Sequence, residues 1–105
     1  MSGLAILVTT VDDEEKARAL ARAALSARLA ACVQIMPIRS CYVWKGEIRE
    51  ETEFLLHMKA RGEDYRALAE LVRRQHSYET PEILRVDVAE ADPDYLAWAI
   101  DATRR

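Results

Sequence analysis

The chain has 105 residues, of which 50% are hydrophobic and 31% are charged, and its formal net charge is −3 with a sequence pI near 5.4. This length and composition predict one globular domain over residues 1–105, large enough to bury its own core. The acidic balance disfavours a nucleic-acid binder, which needs a basic face, and no apolar run approaches the roughly 20 residues that span a bilayer.

The first residues carry neither the basic segment nor the cleavage site of a secretory signal peptide, so we expect a cytoplasmic protein. Two cysteines, Cys32 and Cys41, are too few for a disulfide framework in a chain that builds its own core, and we interpret them as thiols. Core packing is the favoured role for both, and ligation of a soft metal is the alternative.

Residues 4–9 form a continuous apolar run, which is typical of a central strand buried on both faces. Asp12 and Glu15 then form a capping-box pattern, which predicts a helix from residue 13 to about residue 29. The inner stripe of this helix follows helical spacing and consists of Ala17, Leu20, Ala21, Ala24, Leu25 and Arg28.

Residues 31–59 are predicted to form one long hairpin. β-branched and aromatic residues flank a turn at Gly46, Pro37 predicts a kink in the first arm, and the return arm alternates from residue 48 to residue 59. At about 3.3 Å per residue the return arm would be roughly 40 Å long, about twice a usual strand. One chain of this size would leave so long a ribbon uncovered, so the hairpin predicts an oligomer.

A second helix is predicted over residues 65–75, and a loop over 76–81 leads to a strand over 82–88. Asp92 followed by Pro93 is typical of the start of a third helix. The element order β-α-β-β-α-β with a terminal helix predicts an α+β fold, a ferredoxin-like split β-α-β sandwich. Because both central helices cover the same face of such a sheet, the apolar first strand predicts that the other face packs against further subunits in a closed ring.

His76 is the best candidate for a metal ligand. It precedes Tyr78, Glu79 and Glu82, so an imidazole and two carboxylates lie within seven residues. Imidazole suits copper and zinc, and carboxylates can complete such a site. No second histidine stands at ligand spacing, so a histidine hydrogen-bonded for structural reasons and an acid/base role remain open.

A cleft between subunits is the second candidate site. Lys59 ends the return arm on the same side as His57, and we interpret it either as a surface lysine or as the charged wall of such a cleft. Tyr42 and Trp44 would supply flat walls, and Tyr78 from the loop is assigned to the same cleft. For His57, a cross-strand hydrogen bond is the favoured role.

Common catalytic motifs do not occur in the sequence: it has no G-x-G-x-x-G or G-x-x-x-x-G-K-[ST], no G-x-S-x-G, no C-x-x-C and no H-E-x-x-H. The sequence therefore predicts neither an enzyme nor an organic cofactor.

Several motifs follow one another at characteristic spacing. They are Ala31-Cys32-Val33-Gln34-Ile35 before Pro37, the run from Ser40 through Trp44-Lys45-Gly46 to Ile48, Lys59 at the end of the return arm, His76-Ser77-Tyr78-Glu79-Thr80-Pro81-Glu82-Ile83, and Tyr95-Leu96-Ala97-Trp98. Together they resemble the CutA divalent-cation-tolerance family over essentially the whole chain.

This resemblance implies a fold like that of PII signalling proteins and a tight homotrimer with interlocking hairpins. It also implies tolerance of copper and other divalent cations. Some family members bind copper through the motif histidine, a second histidine before it, and a cysteine near the end of the first strand. Here those positions hold His76, Gln75 and Thr9, so two of the three ligands differ.

The first functional expectation is a non-enzymatic, cytoplasmic homotrimer that binds copper or another divalent metal through His76, Glu79 and Glu82. The alternative is a PII-like trimer that holds a small anionic metabolite or nucleotide in inter-subunit clefts, lined by Tyr42, Trp44, Lys59 and Tyr78. A third is a stable scaffold whose partner is another protein.

Overall fold

A computed structural model of the protein describes residues 2–105. Within them the chain forms β1 (Leu4–Val11), α1 (Glu14–Ser26), β2 (Cys32–Trp44), β3 (Glu47–Arg61), α2 (Tyr65–Gln75), β4 (Leu84–Asp87) and α3 (Pro93–Ala102). One turn of 3₁₀ helix, Gly62–Asp64, precedes α2. None of the described helices is long and apolar enough to cross a bilayer.

The strands form one antiparallel sheet in the order β2-β3-β1-β4, with β1 between β3 and β4. This arrangement confirms the predicted α+β, ferredoxin-like fold. Helices α1 and α2 pack on one face of the sheet, which we call the helix face. Alternate side chains of β1 and β3 form the core there with the inner stripes of both helices, and its members include Leu7, Val11, Leu20, Leu56, Met58, Leu68 and Val72.

The N-terminus of α1 lies one residue later than the capping pattern predicted. The carboxylate of Asp13 accepts the backbone N–H of Lys16 at 3.3 Å and so caps the helix. Asp12 instead pairs with the ammonium group of Lys16 at 3.1 Å on the exposed surface. The acidic pattern thus predicted the helix correctly but assigned the cap to the wrong carboxylate.

The C-terminus of α1 lies at Ser26, three residues earlier than predicted. Arg28 adopts a left-handed backbone conformation with φ of 58°, and the N–H groups that follow bond back to the carbonyl of Ala24. A left-handed residue directed back onto the last turn is a common way to end a helix. Leu25 and Arg28 were expected on the inner stripe, but both are exposed. Leu25 lies in the last turn of α1, and Arg28 lies beyond its end, where the chain has turned away.

The long hairpin is confirmed, and its arms exceed the prediction. β2 has 13 residues and β3 has 15, and the two-residue turn has positive φ at both Lys45 (52°) and Gly46 (80°), as in a type I′ hairpin. The β1–β3 pairing stops at Phe54. Residues 38–53 therefore continue beyond the sheet as a two-stranded projecting ribbon, and the protomer is 44 Å long.

Pro37 was predicted to kink the first arm of the hairpin, but it does not interrupt the strand. β2 runs continuously from Cys32 to Trp44, with Pro37 opposite Phe54. β2 is an edge strand, so the missing N–H of proline costs the sheet no ladder bond on its outer side. β4 has four residues and is shorter than predicted, because it pairs only with the segment of β1 from Ala5 to Val8.

The other face of the sheet, which we call the open face, is apolar and incompletely covered. Leu84 and Val86 of β4 are 52% and 49% exposed there, and Met36 of β2 is also exposed. Helix α3 lies against the end of β3, where Arg61 donates to the carbonyl of Ile100 at 2.7 Å. The surplus apolar surface predicted from the first strand is therefore present in the protomer.

Candidate functional site

A cleft of about 620 Å³ lies on the open-face side of the projecting ribbon, between it and residues 77–82 of the loop after α2. Alternation along the strands explains its lining, because side chains two residues apart on a strand share a face. Tyr42 is paired with Arg49, so Tyr42 and Trp44 of β2 project on the same side as the odd-numbered residues of β3. The loop supplies the opposite wall through Tyr78, Glu79 and Glu82.

Two tyrosine hydroxyls hold two carboxylates in this cleft. Tyr42 donates to Glu51 at 2.6 Å, and Tyr78 donates to Glu53 at 2.6 Å. The hydrogen bond to Glu51 is the main reason that the pKa of Tyr42 is raised. Burial, followed by the hydrogen bond to Glu53, raises the pKa of Tyr78. Both phenols therefore stay protonated and act as donors at neutral pH.

The charge of the cleft is negative. Four carboxylates line it, from Glu51, Glu53, Glu79 and Glu82, against one guanidinium, from Arg49. Glu53 is only 6% exposed, and no cationic side chain of residues 2–105 lies within ion-pair distance of it. The arrangement therefore attracts cations and repels anions.

His76 is held by hydrogen bonds on both ring nitrogens. Its Nδ1 accepts the backbone N–H of Tyr78 at 3.1 Å, so the proton resides on Nε2, which donates to the carbonyl of Thr10 at 2.9 Å. Burial lowers the pKa of His76 and outweighs the opposing effect of the bond to Thr10. In this state the imidazole is neutral and fixes the start of the loop onto the end of β1.

The three predicted metal ligands do not converge. His76 borders a separate small cavity of about 100 Å³, formed with Lys16 and Gln75, whereas Glu79 and Glu82 line the large cleft. Among residues 2–105 no three His, Cys, Asp or Glu side chains form a group that could hold a metal ion.

Thr9 does lie beside His76, as the family resemblance implies for that position. Its hydroxyl oxygen is 3.2 Å from Nε2 of His76, and the residue is fully buried. The hydroxyl is a much weaker ligand for soft metals than a cysteine thiolate would be. This chain therefore keeps the geometry of the position without the sulfur.

Tyr42, Trp44 and Tyr78, which were assigned to a cleft between subunits, line the cleft of one protomer together. Lys59 does not line this cleft. Its ammonium group hydrogen-bonds to the side-chain oxygen of Gln34. Lys59 stands ten residues beyond Arg49 on β3, roughly 33 Å away along the strand.

The cysteines are not core residues. Cys32 is half-buried beside Tyr95, and Cys41 is exposed on the helix face of the projecting ribbon, where its sulfur lies 3.6 Å from Glu50. The prediction of core packing was therefore wrong for both. Cys41 lies beyond the reach of the helices, and Cys32 lies on the open face.

Sequence reasoning assigned Glu51 and Glu53 only to the polar side of the return arm. A signal was present for Glu51, since Tyr42 on the other arm is its diagonal neighbour on the same face of the hairpin. The burial of Glu53 by Tyr78 had no such signal, because Tyr78 lies 25 residues further along the chain.

Fold and cleft together define a small α+β protein with a split β-α-β sheet, a projecting ribbon and an acidic cleft beside it. The sequence matches the family described as CutA1 divalent ion tolerance protein over residues 5–102. The chain belongs to this CutA1 family.

Relatives from distant organisms support this assignment. The divalent-cation tolerance protein CutA of Thermus thermophilus is 40% identical over 99 residues, covering 93% of this chain and 96% of that protein. The structure of CutA from Synechococcus elongatus has a TM-score of 0.95 at 39% identity, covering 99% of this chain and 93% of that one. A structure described as the periplasmic divalent cation tolerance protein CutA from Archaeoglobus fulgidus has a TM-score of 0.94 at 32% identity, covering 96% of this chain and 99% of that one.

Proposed function

We propose that this protein is a non-enzymatic homotrimer that acts in divalent-cation tolerance by binding copper or another divalent cation. The observation that carries the proposal is the acid-rich cleft, in which four carboxylates face one guanidinium. The relatives named above share the description of divalent-cation tolerance. We further propose a cytoplasmic location, which fractionation of cells would test.

Two surfaces of the protomer support assembly. The open face exposes apolar side chains of β4, and the tip of the projecting ribbon exposes Val43 (71%) and Ile48 (85%), which are paired across the hairpin. Among the residues that the structure describes, residues 47–53 of β3 pair only with β2. The other edge of β3 is therefore open there, and a strand of another chain could pair with it. A closed ring would cover these surfaces in every copy, whereas a filament would leave them exposed on its end copies.

Light scattering tests the assembly. We expect a particle of three times the protomer mass of 11.9 kDa at micromolar concentration. A well-folded particle of a single protomer would contradict the proposal.

His76, Glu79 and Glu82 remain the proposed ligands of the cation. Since both nitrogens of His76 are already hydrogen-bonded, a metal must displace either the bond from Nε2 to the carbonyl of Thr10 or the N–H of Tyr78 at Nδ1. The loop must also move to bring Glu79 and Glu82 to the same metal. Binding should also weaken as pH falls, because protonated imidazole does not ligate.

Calorimetric titration with Cu(II) and Zn(II) tests these ligands. We expect His76→Ala, and Glu79→Gln combined with Glu82→Gln, to weaken binding, while Glu90→Gln, which changes an exposed carboxylate outside the cleft, leaves it unchanged. Identical isotherms for all four proteins would overturn the assignment.

The alternative of an anionic metabolite or nucleotide finds no support in the charge of this cleft. Its proposed cation, Lys59, lies far along β3 and bonds to Gln34. Thermal-shift screening separates the alternatives, since an anionic ligand would raise the unfolding temperature in the absence of metal.

A further inference from the structure

We propose that residues 103–105 act as a clasp that ties α3 to the helix layer across the end of the sheet, and that breaking the ion pair of Arg105 with Asp64 releases α3 from the open face. The clasp is a conformational device within one protomer. It goes beyond the proposed function and does not depend on metal binding.

The clasp joins elements on opposite faces of the sheet. Helix α3 lies on the open face, where its Tyr95 is beside Cys32. Asp64 directly precedes α2, and Arg28 follows the end of α1, so both belong to the helix layer. Residues 103–105 follow α3 and contact both of them, so the clasp passes from the open face to the helix layer.

The ion pair of the clasp is bidentate and half-hidden from water. The guanidinium of Arg105 donates to both carboxylate oxygens of Asp64, at 2.7 and 3.1 Å, and Asp64 is only 7% exposed within one protomer. Such a pair is stronger than an ordinary surface ion pair. Asp64 occupies the N-cap position of α2, yet its side chain makes no capping bond within residues 2–105. Aspartate normally caps a helix from this position, so the carboxylate serves the clasp instead of the helix.

The clasp also holds the end of α1. The guanidinium of Arg105 donates to the carbonyl of Arg28 at 2.7 Å, and the guanidinium of Arg28 donates to the carbonyl of Arg104 at 2.9 Å. Arg28 has a φ of 58°, a left-handed conformation that is unfavourable for a residue with a β-carbon. These two reciprocal bonds stabilise that conformation, so α1, α2 and the clasp support one another.

The attachment of α3 depends on polar bonds at its C-terminal end. Between residues 93 and 103 only Ala99 and Thr103 are buried, and the aromatic side chains of the helix are exposed in the protomer. Besides the clasp, Arg61 donates to the hydroxyl of Thr103 at 2.9 Å and to the carbonyl of Ile100 at 2.7 Å. A segment with little buried apolar surface opens locally at low cost. Loss of the clasp should therefore open α3 while the rest of the domain stays folded.

Amide hydrogen exchange followed by mass spectrometry tests the proposal on the assembled protein, at one fixed protomer concentration. In Asp64→Asn we expect the amides of residues 93–103 to exchange roughly tenfold faster or more, because a charge-assisted pair is lost. Exchange in β1 and in residues 38–53 of the projecting ribbon should stay at the wild-type rate.

The matched control is Asp101→Asn. It makes the same chemical change in the neighbouring ion pair, in which Asp101 lies 3.4 Å from Arg104, but these side chains are 78% and 69% exposed. Exchange in α3 should stay at the wild-type rate. If circular dichroism shows that Asp64→Asn does not fold, Arg105→Gln removes the other partner and decides the outcome. The double variant should exchange no faster than the faster single variant, because both changes break one pair.

Three results would overturn the proposal. The first is wild-type exchange of α3 in the variant that breaks the pair, and the second is equal acceleration in Asp101→Asn. The third is acceleration of β1 or of residues 38–53 as large as that of α3, which would indicate general destabilisation or dissociation of the assembly. The Cu(II) titrations and the light scattering of the wild type test the proposed function separately, so either proposal can fail while the other stands.

Discussion

Replacing Tyr78 by phenylalanine removes one oxygen atom from the wall of the cleft, and we expect a clear loss of stability. The hydroxyl donates to Glu53 at 2.6 Å, and Glu53 as a residue is only 6% exposed, so little water can replace the donor. A hydrogen bond to a charged group contributes about 1.5–3 kcal/mol. Tyr78 itself is half-buried, so we expect a loss of about 1.5 kcal/mol in the free energy of unfolding, at the lower end of that range.

Tyr42→Phe is the matched control. It removes an equivalent hydroxyl, which donates to Glu51 at the same distance of 2.6 Å, but Glu51 is exposed and water can replace the donor. We therefore expect a distinctly smaller loss. The comparison isolates burial of the acceptor, because the chemical change and the distance are the same.

Urea unfolding followed by circular dichroism provides the assay, at one fixed protomer concentration because assembly contributes to the apparent stability. The double variant Tyr78→Phe/Glu53→Gln should lose less than the sum of the single variants, with a coupling of about 1 kcal/mol. Equal losses in Tyr42→Phe and Tyr78→Phe, or strict additivity in the double variant, would refute the idea that burial of Glu53 gives this bond its strength.

Thr9→Cys should bind Cu(II) and Zn(II) more tightly than the wild type, by roughly tenfold or more, because it places a soft ligand where a hydroxyl lies 3.2 Å from His76. Calorimetry checks this, and unchanged affinity would mean that the position does not reach the metal. Because burial lowers the pKa of His76 in the folded protein, the stability it confers is fully present above about pH 6.5 and is lost as pH falls through the lowered value. Urea midpoints of the wild type should therefore fall more steeply between pH 7 and pH 5 than those of His76→Gln, and parallel slopes would contradict this. Val43→Ser combined with Ile48→Ser should leave the circular dichroism spectrum intact, since both side chains are exposed in the protomer, but should lower the mass found by light scattering. Retention of the full mass would exclude the ribbon tip from the interface.

Much of the fold follows from local pattern. The second helix was predicted with its observed bounds, Tyr65–Gln75, because its apolar spacing and flanking residues agree with one another. The hairpin was evident from the alternation of β3 and from a turn that needs positive φ at Gly46. The ends of α1 were less predictable, because two adjacent aspartates compete for the cap and Arg28 is not a residue type that indicates a left-handed turn.

The candidate site was predictable only in part, since its residues come from distant segments. Tyr42, Trp44 and Lys59 were assigned to a cleft between subunits, and that assignment stays a prediction. Within one protomer Lys59 lies far along β3 from the two aromatic residues. Which residues of different copies meet depends on the assembly, which the pattern of alternation does not encode.

By itself, the sequence determined the element order, the faces of the strands and helices, and the apolar surplus on the sheet, because these depend on residues close together in the chain. Only the tertiary structure decided that Pro37 is harmless on an edge strand, that His76 has no free nitrogen, and that Tyr78 buries Glu53. The physical reason is that each of these contacts joins segments brought together by strand order and register, and hydrogen-bond partners or charge neighbours at such distances exist only after the chain has folded.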